Sequence, residues 1–122
     1  MIKTLILGGN GYIGSALYSK IDADSVDLCL FGNNLGYSKV ANFNDVDISQ
    51  YENIILLAGH SSVQMCEHNK GNAWINNVDY FYNLCEKLRD DQLLIYASSA
   101  SVYGQKTNIC TESDLNINPI NH

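Results

Sequence analysis

Glycines at fixed spacing follow a short apolar run near the start of the chain. Residues 4–7 read Thr-Leu-Ile-Leu, which predicts a buried parallel strand, and Gly9, Gly11 and Gly14 come next. Glycine adopts a positive φ at such a turn and lets the main chain approach a pyrophosphate, which the N–H groups of the next helix then bind. Residues 8–14 hold four glycines, more than a tight turn needs. The motif predicts a strand, turn and helix that bind a dinucleotide.

Predicted strands and helices alternate along the rest of the chain. This pattern indicates an α/β fold, a Rossmann-type doubly wound parallel sheet of order 3-2-1-4-5 in a single domain over 1–122. Strands two and three are separated by about eight residues, and strands three and four by about ten. A parallel crossover needs a dozen or more, so we expect shortened crossover helices or a marginal third strand. The predicted strands are 4–7, 26–31, 40–43, 54–58 and 93–97, and the predicted helices are 11–21 and 72–88.

Composition excludes several classes of protein. Hydrophobic residues make up 46% of the chain and charged residues 16%, as in a globular domain. The net charge of −6 argues against a nucleic-acid partner, and no apolar run is long enough for a membrane span. The first strand follows Lys3 at once, without a signal peptide, so we expect a cytoplasmic protein.

The four cysteines do not have the spacing of a metal or redox site. We expect reduced thiols, with Cys29 in a strand and Cys85 on the apolar stripe of the long helix. That stripe is predicted to pack on the sheet and comprises Ile75, Val78, Phe81 or Tyr82, Cys85 and Leu88. Cys66, His68 and His60 lack further ligands at a workable spacing, so no metal site is predicted.

An acidic residue about twenty positions after the glycines usually binds the adenosine ribose. The end of the predicted second strand holds Phe31, Gly32 and Asn33, while Asp27 lies at its other end. Asn33 could bond a ribose hydroxyl or tolerate a 2′-phosphate. The choice between NAD and NADP stays open.

With four later segments, the chain resembles the extended short-chain dehydrogenase/reductase family of nucleotide-sugar epimerases, dehydratases and reductases. Its turn, with Tyr12 and Ile13 between the last glycines, is similar to that family's Gly-x-x-Gly-x-x-Gly form. Residues 96–104, Tyr-Ala-Ser-Ser-Ala-Ser-Val-Tyr-Gly, resemble the family's strand-five signature and make Ser99 the catalytic serine. The resemblance implies cofactor contacts from Gly8, Gly9, Gly11, Tyr12, Ile13, Gly14 and Ala97, and substrate contacts from Ser61, Ala100 and Ser101.

Three further segments carry implied cofactor contacts. Asp47-Ile48 resembles the pair that contacts adenine, although an aspartate there is more commonly a turn or cap residue. Asn77 matches the active-site asparagine of the long helix, but Tyr80-Phe81 replaces the small pair usual after it. The loop after strand four, which lines the cofactor in the family, is matched by Leu57, Ala58 and Gly59.

The family's catalytic base is a tyrosine followed by a lysine four residues later, and no such pair follows Gly104. We therefore expect the N-terminal part of a longer enzyme, which alone binds a dinucleotide weakly without turnover. Ala100-Ser101 replaces the acid pair of the dehydratases, which leaves an epimerase or a 4-keto reductase. The resemblance also implies a homodimer that forms through helices. Two other classes stay open, a non-catalytic NAD(P)-binding sensor or interaction module and, less favoured, an FAD-binding Rossmann protein.

Overall fold

The computed structural model describes residues 3–28, 39–59, 63–105, 109–114 and 117–119. In these ranges it contains a five-stranded parallel sheet of order β3-β2-β1-β4-β5, so the predicted fold and strand order are confirmed. The strands are β1 (Thr4–Leu7), β2 (Asp24–Asp27), β3 (Lys39–Val40), β4 (Asn53–Leu56) and β5 (Leu93–Tyr96). The α-helices are α1 (Tyr12–Tyr18), α2 (Val63–His68), α3 (Lys70–Trp74) and α4 (Tyr80–Lys87).

The shortened third crossover is confirmed. Strand β3 has two residues, and a single 3-10 turn, Phe43–Asp45, stands between it and β4. The predicted third strand, 40–43, was therefore placed too late, because Phe43 already belongs to that turn. The ring of Phe43 is buried in the core, where it meets Tyr80 edge to face at 5.5 Å.

Strand β2 also begins and ends earlier than the sequence predicts. Strand β2 pairs Val26 with Leu7 and ends at Asp27, whereas the sequence predicted a strand over 26–31. The apolar residues at 28–31 favour the later strand. Residues 29–31 lie outside the described residues, and so does Cys29, which was expected in this strand. Asp27 is thus at the carboxyl end of its strand and not, as predicted, at the wrong end.

One face of the sheet holds the main hydrophobic core. Right-handed crossovers that run in opposite directions from β1 and β4 place α1 and α4 on opposite faces. Side chains of β1, β2 and β4 meet those of α4 and the 43–51 segment in that core, which comprises Leu5, Leu7, Val26, Phe43, Ile48, Tyr51, Ile54, Leu56 and Leu84. This packing fixes the strand ends at one edge of the sheet, where the candidate site lies.

The long helix is interrupted, and its sheet-facing stripe differs from the predicted one. A π-helical turn, Ile75–Asp79, joins α3 to α4, and its wider turn spaces the inward positions further apart than an α-helix does. Phe81 and Leu88 pack on the core as predicted, together with the buried Leu84. The other predicted stripe residues face outward and are exposed: Ile75, Val78, Tyr82 and Cys85.

Candidate functional site

The loops that follow the strands gather at the carboxyl edge of the sheet. The switch point of the order 3-2-1-4-5 lies between β1 and β4, and ligands of such sheets bind in the crevice there. Gly8 follows β1 and Ala58 follows β4, and a Cβ built on Gly8 would lie 2.5 Å from the Ala58 nitrogen. The turn of residues 8–14, called the glycine turn below, and the loop after β4 are therefore in direct contact at the switch point.

The glycines of the turn have different physical roles. Gly8 has a φ of +103°, which strains any other residue. A Cβ on Gly14 would lie 2.1 Å from the Gly8 carbonyl oxygen, so Gly14 allows α1 to pack against the turn. At Gly11 the nearest protein atom to a Cβ is 3.5 Å away and φ is −73°, so the fold itself would accept a side chain there. Gly11 also has no side chain to cap the N–H groups of α1, which suits close approach by a phosphate.

Asp27 anchors the glycine turn to the end of β2. Its Oδ2 accepts a 2.8 Å hydrogen bond from the Asn10 N–H, and its Oδ1 accepts one of 2.7 Å from the Leu28 N–H. An ionised carboxylate has about four acceptor positions, so each oxygen keeps capacity for a ligand donor. Asp27 lies eighteen residues after Gly9 and fills the position that the sequence analysis described as lacking an acid.

Asp47 and Ile48 lie at the opposite edge of the sheet, which corrects the expectation that they contact adenine. The Ile48 carbonyl accepts a 2.9 Å hydrogen bond from Gln92, the residue before β5, and the Ile48 side chain is buried in the core. The Asp47 carboxylate accepts the Ser49 N–H at 2.9 Å, and hydrogen bonds from Ser49 lower the pKa of this carboxyl. Asp47 is therefore a turn residue. Because the crossover from β3 to β4 is short, Asp47 does not lie at the carboxyl end of β3.

Asn77 lies beside the loop after β4, and its contact with a cofactor stays a prediction. A Cβ on Gly59, whose φ is +150°, would lie 2.7 Å from the Asn77 Oδ1, so this amide packs directly on the main chain at Gly59. The Asn77 Nδ2 lies 3.8 Å from the sulfur of the buried Cys66. Asn77 sits within the π-helical turn, a distortion that is frequent at functional sites.

The bulky pair after Asn77 packs away from that loop. Tyr80 contacts Phe43, and the ring of Phe81 lies 4.7 Å from the ring of Tyr96 at the end of β5. Both rings thus fill space between α4 and the sheet.

Ser99 lies just beyond β5, exposed at the same edge. Its Oγ accepts the Ser101 N–H at 3.2 Å and lies 2.7 Å from the Ser101 Oγ, so it caps a 3-10 turn over Ala100–Tyr103. Ala97, the residue after β5, is exposed as well.

Later residues hold this 3-10 turn in place. The Asn118 N–H donates to the Val102 carbonyl at 2.8 Å, and the Tyr103 hydroxyl donates to the Thr111 carbonyl at 3.1 Å. Gly104 has a φ of +67°, and a Cβ there would lie 2.0 Å from the Asn118 carbonyl oxygen. Beside the turn is an open cleft of about 670 Å³, lined by Tyr103, Cys110, Thr111, Glu112 and Ser113.

The other predicted contacts are placed as follows. The side chains of Tyr12 and Ile13 are exposed beside the turn, and Leu57 and Ala58 both donate main-chain hydrogen bonds to the Leu7 carbonyl. The backbone of Ala100 is described but its side chain is not. Asn33, His60 and Ser61 lie outside the described residues.

The described residues contain neither a cluster of metal ligands nor a membrane-spanning helix. Within the ranges that the structure covers, no three His, Cys, Asp or Glu side chains come together as metal ligands. None of the helices found there is long and apolar enough to cross a membrane. The cytoplasmic location stays a prediction.

Comparison with known proteins gives a family and a fold. No curated protein matches the chain. Among solved structures, MoeE5 in complex with UDP-glucose and NAD is 22% identical to this chain, with a TM-score of 0.80. The match covers 98% of this chain and 43% of the MoeE5 chain. A UDP-N-acetylglucosamine 4-epimerase from Methanobrevibacter ruminantium M1 is 22% identical, with a TM-score of 0.80. The match covers 98% of this chain and 45% of the epimerase chain. A UDP-glucose 4-epimerase from Brucella ovis in complex with NAD is 20% identical, with a TM-score of 0.79. The match covers 99% of this chain and 43% of the epimerase chain.

The chain thus spans less than half the length of these structures. The family model of the NAD dependent epimerase/dehydratase family matches residues 4–122, from the first residue of β1 onward. That match includes the glycine turn, Asp27, Asn77 and Ser99. The chain belongs to the NAD-dependent epimerase/dehydratase family.

Proposed function

We propose that this chain is the cofactor-binding part of an NAD-dependent enzyme that epimerises a nucleotide sugar or reduces its 4-keto form. The observation that carries the proposal is the meeting of three strand ends at one edge: the glycine turn after β1, Asp27 at the end of β2 and Ser99 after β5. Structural relatives solved with UDP-glucose or UDP-glucuronic acid and NAD support this choice of ligands.

The site's own geometry fits a dinucleotide. Gly11 leaves space that the protein does not need for its packing, which is what a pyrophosphate against the main chain requires. Asp27 keeps acceptor capacity next to the turn, where the ribose of the adenosine half binds in this fold. A carboxylate accepts from the ribose hydroxyls and repels a 2′-phosphate, so we infer that NAD is preferred over NADP.

The other residues belong to the reacting half of the site. When bound, NAD would supply hydride transfer at the reacting sugar carbon. Ser99 donates a hydrogen bond to the sugar oxygen whose proton is removed or restored. Asn77 holds the loop at Gly59, and Ala97 leaves the end of β5 open to the cofactor. Ser61 and Ala100 remain proposed substrate contacts.

The general base comes from elsewhere in the whole protein under this proposal. No Tyr-x-x-x-Lys follows Gly104, and the chain spans under half of its structural relatives. The 122-residue chain is then expected to bind dinucleotide weakly and to lack turnover, while the natural protein that carries it turns over nucleotide sugars.

The test is an assay of that natural protein with UDP-glucose, UDP-N-acetylglucosamine and their 4-epimers, and separately with a UDP-4-keto sugar and NADH, with products separated by chromatography. We expect interconversion of one pair, or NADH-dependent reduction of a 4-keto sugar. The Ser99→Ala variant should lose at least a hundredfold in kcat, and Ser19→Ala, an exposed serine after α1, should match wild type. NAD binding with no turnover of any nucleotide sugar would contradict the proposal and favour a non-catalytic NAD(P)-binding module.

We also infer that a second copy of the chain packs on the outward face of the long helix. Trp74, Ile75, Val78 and Tyr82 are exposed there, and clustered apolar exposure marks interaction sites. Sedimentation of Tyr82→Glu should show monomers where wild type is dimeric, with Gln64→Glu on α2 as the matched control. A monomeric wild type would contradict this.

A further inference from the structure

Ser99 and Ser101 form a hydroxyl pair within the 3-10 turn after β5. Their Oγ atoms are 2.7 Å apart, and the Ser101 main-chain N–H donates to the Ser99 Oγ at 3.2 Å. Ser101 therefore contacts the candidate catalytic hydroxyl twice, once through its main chain and once through its side chain. The family resemblance implies only a substrate contact for Ser101.

The hydrogen between the two hydroxyls has two possible positions. A hydroxyl has one donor and two acceptor positions, and the Ser101 N–H already occupies one acceptor position of the Ser99 Oγ. If Ser101 donates its hydroxyl proton to Ser99, both acceptor positions of Ser99 are filled and its proton points to the exposed side. If Ser99 donates to Ser101, Ser99 has no proton left for a ligand.

We propose that Ser101 is a positioning residue, whose hydroxyl donates to the Ser99 Oγ and so leaves Ser99 as a pure hydrogen-bond donor toward the reacting sugar oxygen. A substrate oxygen that gains negative charge during reaction needs a donor, so it selects this arrangement. Both Oγ atoms already occupy their positions, so only the hydroxyl hydrogens reorient when the substrate binds. The inference rests on the proposed function, because it gives Ser99 its reacting partner.

Later residues hold the 3-10 turn that carries the pair. The 3-10 turn is fixed by the hydrogen bond from Asn118 to Val102 and by the close approach of Asn118 to Gly104. The main-chain bond from Ser101 to Ser99 does not depend on the side chain of residue 101. Replacement of Ser101 by alanine therefore removes one hydroxyl and leaves the cap of the turn in place.

The experiment compares Ser101→Ala, Ser101→Thr and Ser99→Ala in the natural protein that carries this chain. For each variant we would measure kcat and KM for the nucleotide sugar, the Kd of UDP-glucose by calorimetry, and the melting temperature. We expect Ser101→Ala to lower kcat about tenfold, the size of one lost hydrogen bond of about 1.4 kcal/mol, with an unchanged Kd and melting temperature. Ser101→Thr keeps the hydroxyl and should restore kcat.

The outcomes separate the two proposals. A Ser101→Ala variant with a weakened Kd and an unchanged kcat would show a substrate contact and overturn the positioning role. If Ser101→Ala turns over as fast as wild type while Ser99→Ala is impaired, the positioning role is also overturned. If Ser99→Ala is as active as wild type, or wild type does not turn over any nucleotide sugar, the proposed function itself fails.

Discussion

The Asp27 carboxylate accepts a 2.8 Å hydrogen bond from the main-chain N–H of Asn10. This bond joins the end of β2 to the centre of the glycine turn after β1. The same carboxylate also accepts the Leu28 N–H, so it is held in one orientation at the carboxyl edge of the sheet. One side chain thus shapes the turn and presents an acid where a ribose is expected.

Asp27→Asn should weaken NAD binding more than NADP binding. The neutral amide loses hydrogen bonds that a charge strengthens, each worth about 1.5–3 kcal/mol, so we expect at least a tenfold rise in the Kd of NAD. NADP should lose less, because a repulsion with its 2′-phosphate is also removed. Calorimetry with both cofactors measures this, and Asp22→Asn, an exposed acid just before β2, is the control. Equal losses for both cofactors would argue against a ribose contact.

Gly14→Ala should destabilise the fold, whereas Gly71→Ala should not. A Cβ at Gly14 meets the Gly8 carbonyl oxygen at 2.1 Å, and forced overpacking costs about 1–3 kcal/mol. Gly71 in α3 has open space around a Cβ, and alanine favours a helix over glycine by about 1 kcal/mol. Urea unfolding followed by circular dichroism compares the two. Equal midpoints would show that α1 does not pack on the turn as described.

Tyr51→Phe should remove part of the alkaline destabilisation of the protein. Burial and the hydrogen bond to Asp24, 2.7 Å long, raise the pKa of Tyr51 to about 12 from 10.0. Because the folded state holds this proton more tightly, its stabilisation is complete below pH 10 and is lost as the pH rises toward 12. Urea midpoints between pH 9 and 12 should fall more for wild type than for Tyr51→Phe, with Tyr12→Phe, at an exposed tyrosine, as control. Parallel curves would contradict the raised pKa.

Much of the fold follows from local sequence signals. The glycine turn and the apolar runs of β1, β4 and β5 predict these strands and their order, because each is short, apolar and followed by a connection of the right kind. Asn77 and Ser99 are candidate site residues because their segments resemble family motifs. The structure places both at the carboxyl edge, and their roles stay predictions.

The remaining parts depend on contacts between distant residues. Apolar residues continue past Asp27, so periodicity extended β2 and hid the acid at its end. The pairing of Val26 with Leu7 fixes where the strand stops, and that register is not visible in the β2 segment alone. The eighteen-residue spacing from Gly9 was the one available signal.

Asp47 was misplaced for a related reason. A motif match assumes a crossover of normal length between β3 and β4, but here a single 3-10 turn brings the chain back to the amino edge before β4. The outward stripe of the long helix was also misread, because that helix is apolar on two sides and only packing distinguishes them.

The most direct test of the account is an NMR titration of the isotope-labelled chain with NAD, wild type against Gly11→Ala. Gly11 has room for a Cβ within the protein, so the variant should keep the fold and the melting temperature. We predict that millimolar NAD shifts the wild-type amide signals of residues 8–14 and of Asp27, and that these shifts are at least tenfold weaker in Gly11→Ala. A folded wild type whose turn signals do not respond to NAD, or a variant that responds equally, would contradict the account.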